Sequence, residues 1–243
     1  MHRERVLLLA AAALVSAVAW VYLIHMAGMG HGHVHSGMAP AFLALFGMWT
    51  TMMVAMMLPA VMPYVVVFQA EQGRRKARNP APVSEAFFLG GYFALWTAFS
   101  AACAGLQDVL HRRALLSPTM SASSSVLAGC ILIAAGVYQW TPMKNACLKH
   151  CRTPLTFLLT DWREGAAGAF RMGVDHGFYC LGCCWMLMLI PFAAGVMNLV
   201  WMAGITVLLL LEKAAPGGEL TARISGGVFV AAGAYVIGIG AGF

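Results

Sequence analysis

Charge is what this sequence has least of. Lys, Arg, Asp and Glu make up 10% of its 243 residues while 61% are hydrophobic, against about 25% charged in a soluble globular domain. An ordinary soluble enzyme is thereby excluded. Also lacking are a Gly-rich phosphate loop, a Ser/His/Asp arrangement and any polar segment long enough for a cofactor-sized domain. That leaves no machinery for ATP-driven transport. The net charge of +6 comes from cations in short loops between apolar runs. There they set orientation in a membrane rather than bind nucleic acid. What the chain does have is sulfur, in seven Cys and 17 Met.

Together these features predict an all-α protein, a polytopic transmembrane helical bundle forming a single domain over residues 1–243. With about 20 apolar residues per crossing, the length predicts six or seven spans. The first, 6–24, follows the basic head His2-Arg3-Glu4-Arg5 and places the N-terminus in the cytoplasm, in a bacterial inner membrane. Residues 25–40 read as an outer loop rich in His and Met, where His31, His33 and His35 converge on a metal. Such a His-rich tract is a compositional metal signal, although a solvated pH-responsive linker has the same composition. The second span, 41–69, ends in Arg74-Arg75-Lys76-Ala77-Arg78, the strongest mark of a cytoplasmic loop. Pro59 and Pro63 should kink it.

Spans at 87–106 and 126–138 follow, with Cys103 and Cys130 read as structural. Residues 141–170 read as a cytoplasmic Cys-containing loop and an interfacial segment. From 171 to 211 roughly forty residues carry scarcely a charge. That is about 60 Å of helix, or two crossings, with the turn near Pro191. The final span, 224–242, is Gly-rich and suited to close helix packing.

Sulfur concentrates in three places. Cys180-Leu181-Gly182-Cys183-Cys184 holds a C-x-x-C pair, the spacing that brings two thiolates onto one metal ion or into one disulfide. His176 precedes it by one helical turn. Cys147 and Cys151 fall at i and i+4, on one helix face, with Lys144, Lys149 and Arg152 expected to favour the thiolate. In the second span Met52 and Met56 line one stripe with Met48, and Met53 and Met57 form its neighbour. Cys and Met also fill apolar cores. As a cluster they suit copper(I), with zinc as the alternative. Thioether and imidazole on the outer side and thiolates toward the cytoplasm make a gradient for a soft ion moving inward. Asn198, deep in apolar sequence, requires a hydrogen-bond partner or a ligand. Glu212 is expected to form a solvated pair with Lys213.

Trp49-(x)2-Met52-Met53, Tyr138-Gln139-(x)-Thr141-Pro142-(x)-Lys144-(x)2-Cys147-(x)3-Cys151-Arg152 and Gly177-(x)-Tyr179-Cys180-(x)-Gly182-Cys183-Cys184-Trp185, with Met197-Asn198-Leu199 and Glu212-Lys213, resemble the bacterial family of predicted metal-binding integral membrane proteins. The resemblance spans about residues 45–225 and implies metal binding. The His tract lies outside it.

The leading expectation is therefore a membrane protein that takes up, stores or delivers copper, with a membrane metalloenzyme or copper chaperone as partner. One alternative is a thiol-disulfide oxidoreductase using Cys180 and Cys183 as its redox pair. Another is a non-catalytic accessory subunit of an oligomer or larger membrane complex.

Overall fold

The computed structural model describes residues 2–33, 42–75, 83–116, 122 and 124–240, without the side chains of His2 and residues 29–33. These residues form ten α-helices and a 3-10 turn. They are α1 (His2–His33), α2 (Phe42–Arg75), α3 (Glu85–Arg112), α4 (Ser125–Tyr138), α5 (Pro142–Arg152), α6 (Pro154–Thr160), α7 (Gly165–Cys184), α8 (Ile190–Ala194), α9 (Leu199–Ala214) and α10 (Gly218–Gly240), with the turn at Leu187–Leu189. Local sequence explains several starts. Ser84 and Ser124 accept hydrogen bonds from Ala86 N and Val126 N. Thr141 accepts from Lys144 N, with Pro142 in the first turn of α5. Each is an N-cap that satisfies otherwise orphaned backbone donors.

α2 is the central element and its Met52, Met53, Met56, Met57, Trp49 and Tyr64 are all buried. Its two ends are pinned to α3, where Trp49 Nε1 donates to Gln107 Oε1 at 2.7 Å and Phe68 stacks on Phe88. α1 packs along α2, α7 along α3, α5 against α7 and α10 along α4. Two of these contacts need glycine. A Cβ at Gly173 would run into the Phe88 carbonyl, and one at Gly91 into that of Phe170. On the other side of the bundle Gly136 of α4 faces the Gly226 carbonyl of α10 in the same way, the close packing expected of the Gly-rich last helix. Gly173→Ala is expected to force α3 and α7 apart and lower stability by about 1–3 kcal/mol. Thermal unfolding of the detergent-solubilised protein checks this.

The spans depart from expectation in three places. α1 runs on through His33, so the region read as a loop from residue 25 is helical that far. Propagating an existing helix costs far less than nucleating one, which outweighs the intervening glycines. The side chains of His31 and His33, and His35 entirely, lie outside the described residues.

The apolar stretch 171–211 is not two full crossings. Pro191 cannot donate to the carbonyl at Leu187 and its ring crowds that carbonyl. The chain accordingly breaks after Cys184 and turns, and Gly195 at φ +98° ends α8. α9 then has 16 residues, about 24 Å, less than a bilayer core of about 30 Å.

Residues 141–170, expected as a Cys-containing loop and an interfacial segment, carry two short helices, α5 and α6, packed against α7 and α2. α5 has Lys144, Leu148 and Cys151 on its buried face, while Met143, Lys149 and His150 are exposed. Among the described residues four helices, α1, α2, α3 and α10, are long and apolar enough to cross a membrane. Two bent pairs, α4 with α5 at 63° and α7 with α8 at 68°, are each a broken span or a re-entrant segment, and the number reaches six only if each pair is one span.

Candidate metal centre

The end of α7 carries three of the cysteines. Cys180 is 1%, Cys183 1% and Cys184 0% exposed. The thiols of Cys183 and Cys184 both donate to the Cys180 carbonyl, at 3.1 and 2.9 Å. α5 brings two more from over thirty residues upstream. The Sγ atoms of Cys151 and Cys183 are 3.8 Å apart, and Cys151 also interacts with Cys180. Cys147, one turn earlier, is partly exposed and lies on Gly182, where an added Cβ would stand 2.7 Å from its sulfur. The glycine inside the C-x-x-C pair is thus the seat for a cysteine of another helix. All seven cysteines are free thiols.

The cation at the sulfurs is not one of those expected. Lys213 of α9 donates to Cys180 Sγ at 3.0 Å, and the Tyr92 hydroxyl of α3 lies 3.0 Å from the same sulfur. An ammonium against a sulfur complements the negative charge of a thiolate or of a thiolate-bound monovalent ion. Lys144 is used elsewhere. Its Nζ is 2.7 Å from Glu212 Oε2, with both side chains at most 1% exposed. Gln139 Nε2 donates to Glu212 Oε1 at 2.9 Å. The solvated Glu212–Lys213 pair is therefore corrected to a buried Glu212–Lys144 pair, because consecutive residues on a helix diverge by about 100° and α5 supplies a cation to the inward one. Arg152 caps α9 from the same side, donating to the carbonyls of Glu212 and Ala215 at 3.1 and 2.7 Å. Cations are commonly placed at a helix C-terminus in this way.

His176, one turn below Cys180, sits among aromatic rings. Its ring stacks on Tyr64 with centroids 3.6 Å apart and lies 5.5 Å from Tyr92 and 6.0 Å from Phe157. Tyr64 in turn donates its hydroxyl to the His150 carbonyl, tying α2 to α5. Met52, Met53, Met56 and Met57 of α2 are core residues. Asn198 finds its partners locally as the N-cap of α9, accepting from Val200 N and Trp201 N and donating to the Ala194 carbonyl at 3.3 Å. Cys103 is buried as a structural cysteine should be, whereas Cys130 is exposed on α4.

Sequence reasoning missed Lys213, Tyr92 and Tyr64. The one usable signal was Glu212-Lys213, two charges ending a long apolar run. It could not say which of them turns inward.

Among the described residues no three His, Cys, Asp or Glu donors stand in the arrangement of a closed metal site. The pair Cys151–Cys183 nonetheless fits an ion. Two metal–sulfur bonds of about 2.3 Å at a trigonal angle span about 4.0 Å between sulfurs, close to the separation observed. No curated protein and no solved structure matches the chain significantly. A family model described as PpoB2, copper chaperone, matches residues 46–236. That stretch takes in all five clustered cysteines, the α2 methionines, Lys144 and Glu212, and leaves out the His tract at 31–35. Because the match covers well over half of the chain and every group in the cluster, the protein belongs to the PpoB2 copper chaperone family.

Proposed function

We propose that this protein is a membrane-embedded copper chaperone that holds Cu(I) between Cys151 and Cys183 and delivers it to a membrane metalloenzyme. Cys180, Cys184 and Cys147 are the further thiols within the same pocket. The carrying observation is the 3.8 Å between sulfurs of two different helices, already the spacing of two ligands on one ion. Copper is favoured over zinc by the ligand type, since thiolate and thioether select Cu(I), and by the family description. A site with two to three sulfurs, not closed by four, suits a cargo that must leave again. In contrast, structural zinc takes four ligands in a closed tetrahedron. With two thiolates on Cu(I) the net charge is −1, which the Lys213 ammonium offsets.

His176 belongs to this proposal as a supporting group, one turn from Cys180 and stacked on Tyr64, and the buried α2 methionines as further soft donors in the core. The bundle lies in a bacterial inner membrane with its N-terminus in the cytoplasm. That orientation is supported by Arg5, Arg75 and Arg163, which line one cavity of about 760 Å³ together with Glu4, Glu85 and Glu164, since the positive-inside rule counts the cations and Asp or Glu contribute little. The test is metal loading. Purified in detergent with its thiols reduced and offered Cu(I) and Zn(II) together, the protein should retain about one Cu(I) per chain with a Cu–S shell in X-ray absorption. Retention of neither metal, or of zinc alone, would overturn the reading.

A further inference from the structure

The four cysteines at the heart of the cluster are 0–6% exposed, so a buried Cu(I) needs a way out. Ligand exchange requires the incoming donor to reach the ion while an outgoing sulfur still holds it. α5 supplies such a path. Its exposed side carries Met143, 58% exposed, then the partly exposed Cys147 and the exposed His150. These are a thioether, a thiol and an imidazole at i, i+4 and i+7, hence one stripe on one face. Each is a donor type that soft copper accepts. The His150 ring stacks on Tyr179 of α7 at 4.2 Å, which keeps it beside the stripe. One turn beyond Cys147 the same helix turns Cys151 inward to Cys183. Packing does not account for Met143, which is exposed, and Cys147 and His150 keep one side open although each also touches α7. The exposed Lys149, about 100° round the helix from His150, places a cation at the edge of this surface.

Resting on the copper reading above, we infer that the exposed face of α5 is the exchange surface. Copper passes between the buried sulfurs and Cys147 and then, along Met143 and His150, to a water-facing site of the acceptor enzyme that presents soft ligands in acidic surroundings. The step is a ligand substitution. A Cu–S bond to Cys151 or Cys183 breaks as one to Cys147 or the acceptor forms, and copper stays Cu(I) throughout. The competing route is the apolar groove of about 400 Å³ lined by Cys130, Val137, Tyr138 and Met186, which opens on the flank of α4 and would serve a lipid-soluble acceptor.

Chelators distinguish the two routes in copper-loaded protein reconstituted in nanodiscs. Bathocuproine disulfonate is hydrophilic and anionic, and neocuproine partitions into lipid. The expected result is rapid stripping by bathocuproine disulfonate, slowed by rising salt as an attraction between opposite charges must be. Lys149→Glu removes that salt dependence. Met143→Leu combined with His150→Phe slows stripping at least about tenfold, the scale of outer-ligand effects at metal sites, while affinity from equilibrium competition moves by much less. Copper that neocuproine alone removes quickly would overturn the inference in favour of the α4 groove, and so would unchanged stripping rates in the variants. If the unsubstituted protein holds no copper, the copper reading itself fails, a result separable from the other two.

Discussion

Cys183→Ser is expected to lower Cu(I) affinity at least about a hundredfold, close to 3 kcal/mol, measured by competition with a chromophoric chelator under reducing conditions. Cys183 contributes the sulfur that faces Cys151 across the α5–α7 contact. The hydroxyl oxygen that replaces it is hard and held on a shorter arm, whereas Cu(I) selects soft donors. Losses of 10–100-fold are usual when only an outer-shell partner of a ligand is removed, so removing a ligand should cost at least the upper end of that range. Cys103→Ser is the control, since Cys103 lies on α3 apart from the cluster and should leave affinity unchanged. Equal affinity of Cys183→Ser and the unsubstituted protein would remove Cys183 from the site and with it the shared pocket.

Glu212→Leu is expected to destabilise the fold by about 3–5 kcal/mol, because it leaves the Lys144 ammonium buried with no counter-charge. The two side chains are at most 1% exposed and 2.7 Å apart, so solvent does not screen them. The double substitution Lys144→Met/Glu212→Leu should recover most of the loss, as buried ion pairs replaced by apolar residues of similar volume are often neutral. A double-mutant cycle on thermal unfolding in detergent checks both halves. Additive losses in the double variant would mean that the pair does not act as a unit. Copper binding in Glu212→Leu provides a second readout. Glu212 and Arg152 together fix the end of α9, and the next residue, Lys213, reaches Cys180. A loosened α9 withdraws that ammonium from the sulfur.

How legible the molecule was in its sequence differs from element to element. Apolar runs located α1, α2, α3 and α10, because a continuous hydrophobic stretch is decisive over about 20 residues. α5 was read as a loop at the surface. Its 11 residues include Lys144, Asn145, Lys149, His150 and Arg152, and local composition gives no hint that Glu212 and the end of α9 neutralise the inward-facing ones. Pro191 signals the break after Cys184, but in sequence the same signal fits a turn between two crossings. The Cys147/Cys151 and Cys180/Cys183/Cys184 groups were visible as donors, and the spacing within each group follows from helical periodicity. Their meeting was not visible, nor was the approach of Lys213 and Tyr92.

By itself the sequence determined the inventory: long apolar helices with little charge, five cysteines in two short segments, and the donor chemistry that goes with copper. The tertiary structure alone decided which sulfurs face one another, which lysine sits on a thiol and which on a carboxylate, and which side of α5 stays open. Helical spacing fixes neighbours over about one turn, whereas these contacts join residues 32 to 88 positions apart. Only the bends near residues 139–141 and 185–186, and the packing of α5 and α9 against α7, bring them within bonding distance.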